Sequence, residues 1–104
     1  MLVQSFKPND IVTMKLVTGE EIITKFVEGN DNTYKVNKPL VLSITAQGVA
    51  MTPFLFTAEI SGEIAIPKTA VIALASTDKQ TAGQYIKGTT GIEPVSGSVL
   101  GKLK

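Results

Sequence analysis

Lys68, in the tight connection Pro67-Lys68-Thr69, is a cation set between two apolar runs, where a lysine can neutralise a phosphate. Tyr34 follows the polar turn Asn30-Asp31-Asn32 by two residues. Its ring offers a stacking surface, and the turn offers donors and acceptors for a base or a ribose. Each of these residues also has a plainer account. Asn and Asp are what a hairpin turn selects for its own backbone, Tyr34 suits a cross-strand aromatic pair, and Lys68 suits an exposed loop. Phe54 and Phe56, alternating about Leu55, read as core or subunit-interface residues rather than as a stacking platform. The carboxylates Glu20 and Glu21 are neighbours in a turn and point different ways, and Glu59 and Glu63 flank an irregular stretch. Solvated faces account for all four better than acid–base or metal work does.

Composition removes most other chemistry. The 104 residues contain no His and no Cys, so imidazole bases, thiol nucleophiles, zinc fingers and disulfide frameworks are excluded together. There is no glycine-rich phosphate loop either, and the expectation is a protein that is not an enzyme and uses no metal or cofactor. All ten cations are Lys against nine acidic residues, a net charge of +1. A chain without Arg lacks the planar fork that reads guanine or grips phosphate in two places, which weighs against a dedicated sequence reader of nucleic acid. The longest uninterrupted apolar run, residues 70–75, is far short of the roughly 20 residues that span a bilayer. No membrane association is expected, and the cytoplasm is the expected compartment.

The elements that must position these residues are strands. In residues 10–46, Ile11, Thr13, Lys15 and Val17 alternate with Val12, Met14, Leu16 and Thr18, which is the period of a strand. A turn at Thr18-Gly19-Glu20 leads into a second run with Ile22, Ile23, Phe26 and Val27, closed by Gly29-Asn30-Asp31-Asn32. The third run starts at Thr33 and carries Val36, Leu40, Val41, Leu42 and Ile44. Pro39 inside it cannot donate to a ladder, so that run must bend, bulge or lie at an edge. A fourth run follows over 49–57 and contains Pro53, with residues 63–66 read as the end of the same long strand. The run 70–75, apolar on both faces, reads as a fifth, buried strand. Residues 77–87 then read as a short helix, with Ser76 or Thr77 as N-cap, Asp78 in the first turn, Lys87 in the last, and Ala82, Tyr85 and Ile86 as its apolar stripe. The expected organisation is a lead-in over 1–9, a barrel over 10–76, the helix over 77–87, and a Gly, Ser, Thr and Pro rich segment over 88–104 that either is a flexible tail or orders only against a partner or a neighbouring subunit.

This meander resembles the Sm-like family, small bent barrels that assemble into rings. Leu16, Gly19, Ile22, Phe26 and the Asn30-Asp31-Asn32 turn fill the places of the first Sm motif, and Ile66, Val71 and Leu74 match the hydrophobic frame of the second. The likeness covers about residues 10–75 and is similar to that of small bacterial and phage members of the family. It departs where function sits. The basic-glycine-asparagine triplet of the second motif is Pro67-Lys68-Thr69 here, and the asparagine usual after the acidic turn residue is Tyr34 or Lys35, so the frame is kept and the uridine pocket is not. The resemblance implies a mainly β protein, a five-stranded, strongly bent antiparallel Sm-like (SH3-like) barrel, here with a short C-terminal helix. It implies a homo-oligomer joined through edge strands, the run from Val49 to Thr57 of one copy pairing with the run from Ala70 to Ala75 of the next. It implies RNA contact through Asn30, Asp31, Asn32, Tyr34 and Lys68 that is weak and indifferent to sequence. The rival expectation is a structural or assembly module that meets other proteins, through its tail among other surfaces, and has no nucleic-acid role.

Overall fold

The computed structural model describes residues 5–59 and 62–90. Six strands, β1 (Ile11–Leu16), β2 (Glu21–Gly29), β3 (Thr33–Thr45), β4 (Gly48–Pro53), β5 (Glu63–Pro67) and β6 (Val71–Ser76), are followed by one helix, α1 (Lys79–Thr90). The strands form a single antiparallel sheet in the order β4-β3-β2-β1-β6, with β5 paired to the first half of β3. The protein is therefore mainly β, a bent, barrel-like sheet with one short C-terminal helix, as the alternating runs predict.

Alternation explains the core. Val12, Met14 and Leu16 of β1 face Ile22 and Phe26 of β2, Val36 of β3 and Ile66 of β5, all buried, with Leu74 and Val71 of β6 packed against them. The β1–β2 turn closes through the Gly19 N–H on the Leu16 carbonyl at 2.9 Å, and Gly19 holds φ 109°, which a side chain would disfavour.

The long fourth strand expected from the sequence is two strands. Thr33–Asn37 of β3 pair with β5, and Leu40–Thr45 pair with β4, leaving Lys38 and Pro39 as an elbow. Lys38 takes the left-handed φ of 53°, Pro39 supplies no donor, and Pro53 lies opposite Leu40 at the same level. Two prolines in adjacent pairing positions, Pro39 at the elbow and Pro53 opposite Leu40, mark the end of the β3–β4 ladder. The Phe54 N–H turns in to the Pro39 carbonyl at 3.0 Å, and residues 54–59 carry the chain away from β3 before it returns at Glu63.

The helix is displaced from its expected span. Asp78, placed in the first turn by the sequence reading, is the capping residue: its carboxylate accepts the Thr81 N–H at 2.8 Å and the Thr81 hydroxyl at 2.9 Å. Those two bonds, the backbone one first, hold the Asp78 carboxyl below its usual range. At the other end α1 continues past Gly88 to Thr90. Its last turn is tied down by the Thr89 hydroxyl on the Tyr85 carbonyl and by the Lys38 ammonium on the Thr89 carbonyl at 3.4 Å. Tyr85, fully buried, donates to the Asn37 and Lys38 carbonyls at 3.1 and 2.7 Å and so pins the helix to the β3 elbow. The rest of the expected tail, residues 91–104, lies outside the described residues. Among the described residues no helix is long and apolar enough to cross a membrane.

Candidate nucleic-acid interface

The β2–β3 turn builds its own scaffold from one side chain. The Asn30 side-chain oxygen accepts the backbone N–H groups of Asn32 and Thr33, both at 2.8 Å, and the Thr33 hydroxyl at 3.2 Å. That oxygen is committed to the turn, as the plainer account of Asn30 requires. Asp31 and Asn32 are exposed at the tip.

The loop after β5 docks beside this turn. Thr33 pairs with Pro67 and Tyr34 with Ile66, and the next residue, Lys68, donates its backbone N–H to the Asn32 carbonyl at 2.8 Å. Residues 68–70 then make a single tight helical turn into β6. Asn30, Asp31, Asn32, Tyr34 and Lys68, drawn from two separate stretches of sequence, thus meet at one end of the sheet. The Lys68 ammonium stands 5.0 Å from the centroid of the Tyr34 ring, within the reach of a cation–π contact.

Below Tyr34 the aromatic surface continues inward. Its ring is 6.3 Å from that of Phe26 at an interplanar angle of 59°, and Phe26 is 5.9 Å from Phe6 at 49°. The Tyr34 ring edge lies so close to Gly29, its cross-strand neighbour, that a Cβ there would sit 3.3 Å from Tyr34 Cδ1. Together Phe6, Phe26, Tyr34 and Leu74, with Lys68 and Glu28, line an open cleft of about 590 Å³. The Glu28 carboxylate is paired with the Lys35 ammonium at 3.3 Å.

Sequence reasoning did not assign Phe6, Phe26 or Leu74 to this cleft. Phe26 and Leu74 read as frame residues, and Phe6 belongs to a lead-in with no strand period. What brings Phe6 in is a turn at Pro8-Asn9, where the Asn9 N–H donates to the Phe26 carbonyl at 2.7 Å and the Asp10 carboxylate accepts the Lys7 N–H at 2.9 Å. Phe54 packs half-buried against the core, whereas Phe56 is 82% exposed, and neither lines the cleft. The Glu20 carboxylate accepts the Thr18 hydroxyl, which holds its carboxyl below the usual range, and it too lies outside the cleft. Among the described residues no three His, Cys, Asp or Glu side chains converge as metal ligands.

The arrangement offers the Lys68 cation, the Tyr34 ring and the backbone groups of a polar turn. These suit a planar ring attached to an anion. No known protein-family model matches the chain, and no curated protein matches it in sequence.

Proposed function

We propose that the protein is an Sm-like assembly scaffold whose hairpin-end patch holds single-stranded RNA weakly and without sequence preference. The observation that carries this reading is the Lys68 ammonium 5.0 Å from the Tyr34 ring, beside the 30–32 turn. A phosphate contact from Lys68 and a stacking face from Tyr34 are the two elements of sequence-tolerant single-strand binding. The lack of base discrimination follows from Asn30, whose side-chain oxygen is used within its own turn, and from the absence of any Arg in the chain.

Assembly supplies what one patch lacks in affinity. β4 and β6 stand at opposite ends of the sheet order, and each has one neighbour strand among the described residues. Val49 on β4 and Ile72 on β6 are 61% and 63% exposed. Pairing of β4 of one copy with β6 of the next covers both edges and, in a closed ring, repeats Lys68 once per subunit.

A titration of labelled oligo-U and oligo-A at low salt tests the reading. It predicts comparable, modest affinity for both, carried by Tyr34 and Lys68. Tight, uridine-selective binding that survives Lys68→Ala would contradict it. A second reading, an assembly module without a nucleic-acid role, is favoured by the exposure of Ile44 at 88% and Phe56 at 82%, which suit protein contact. It predicts no binding of either oligonucleotide, and it leaves the edge-to-edge assembly unchanged.

A further inference from the structure

We infer that Lys68 is the selectivity residue of the Tyr34 face, covering the ring in the free protein and uncovering it for aromatic ligands that carry a phosphate. The inference rests on the proposed RNA reading of this patch and adds to it which ligands the patch turns away.

The Lys68 ammonium sits over the Tyr34 ring at 5.0 Å from its centroid. A base stacked on that face would lie roughly 3.5 Å from the ring plane, so base and ammonium cannot share it. On the strand side the ring's Cδ1–Cε1 edge lies against Gly29, and the Phe26 centroid stands 6.3 Å away. A base that stacks on the face under Lys68 must displace the lysine. Lys68 can move without disturbing the loop, since its backbone is fixed by the N–H on the Asn32 carbonyl while its four-carbon stem rotates.

What the lysine does after leaving decides the selectivity. An uncharged nucleoside gives the ammonium nothing in exchange for the ring, and giving up the cation–π attraction weakens binding about two- to fivefold at a half-exposed site. A nucleotide or an oligonucleotide presents a phosphate beside its own base, and the ammonium trades the ring for the anion. One residue thus opposes neutral aromatics and favours phosphorylated ones.

The chain's two tyrosines and lack of Trp make tyrosine fluorescence the readout, and because Tyr85 is fully buried the quenchable signal belongs to Tyr34. Acrylamide quenching of the full chain should rise in Lys68→Ala. Adenosine should bind that variant about two- to fivefold more tightly than wild type, while oligo-A should bind it several-fold more weakly. Lys68→Arg should retain both wild-type behaviours. Unchanged quenching in Lys68→Ala, adenosine binding that weakens along with oligo-A, or an Arg variant that behaves like Ala would each overturn the inference. If quenching rises but wild type binds no oligo-A at low salt, the cover over Tyr34 is real, the RNA reading has failed, and the exchange proposed here falls with it.

Discussion

Tyr85 and Gly29 show how much single side chains decide in this fold. The Tyr85 hydroxyl is shared by two carbonyls at the β3 elbow, so Tyr85→Phe takes a donor from the Lys38 carbonyl without creating a cavity, while the Asn37 carbonyl keeps the Thr24 hydroxyl at 2.7 Å. The expected loss is about 1–2 kcal/mol, or several degrees in the melting temperature of a domain this size. Burial pushes the Tyr85 hydroxyl above the usual tyrosine value of 10.0. A folded pKa raised above the unfolded one means that the stabilisation is complete below about pH 10 and is lost as the pH rises through the folded value. Thermal melts between about pH 8 and 12 should therefore show an alkaline loss of stability in wild type that is smaller in Tyr85→Phe. At Gly29, Ala would press on Tyr34, and acrylamide quenching should report a shifted ring while the fold persists. Part of this was legible in sequence. The turn chemistry of Asn30-Asp31-Asn32 and the loop position of Lys68 were readable, and the structure joins them through one backbone hydrogen bond. The role of Gly29 was not, because it depends on which residue lies across the ladder, and register is settled by the two β2 irregularities at 23–25 and 26–28.

At the scale of elements, proline positions were more informative than run lengths. Pro39 announced the bend in β3, but the break between β4 and β5 needed Pro53 to fall opposite Leu40, the next residue, a pairing that the sequence does not display. The helix start was misplaced by one or two residues because Ser76, Thr77 and Asp78 are all good caps; the Thr81 N–H chose Asp78. Its end was misplaced because Gly88 looks like a terminator, whereas the contacts of Thr89 and Lys38 carry the helix past it. The cap makes a prediction of its own. With the Asp78 carboxyl held below 3.8, its contribution is present above that pH and is lost as the pH falls through the depressed folded value. Helical circular dichroism should fray on acidification toward about pH 2 in wild type, and Asp78→Asn, which keeps an acceptor oxygen without the charge, should show a flatter acid limb. The strand edges predict assembly. Ile72 is 63% exposed on β6, so Ile72→Glu costs the monomer little. Sedimentation equilibrium should find wild type associated at micromolar concentration and Ile72→Glu shifted to monomer. A monomeric wild type would end the assembly half of the proposal.

For the whole molecule, the bent sheet is a device for bringing the β2–β3 turn and the β5–β6 connection to the same end, Lys68 beside Asn32, from two separate stretches of chain. Near-neutral charge keeps this patch from being a strong electrostatic trap, and no Arg stands near it to convert attraction into base recognition. The central claim is that Lys68 is the phosphate contact of a weak single-strand site. The most direct test is the salt dependence of oligo-U binding in wild type and in Lys68→Ala, read as the slope of log affinity against log salt. The account predicts a shallower slope in the variant, by about 0.7 for each phosphate that Lys68 neutralises, together with a uniform weakening across oligo-U and oligo-A. An unchanged slope, or a weakening confined to one of the two sequences, would contradict it.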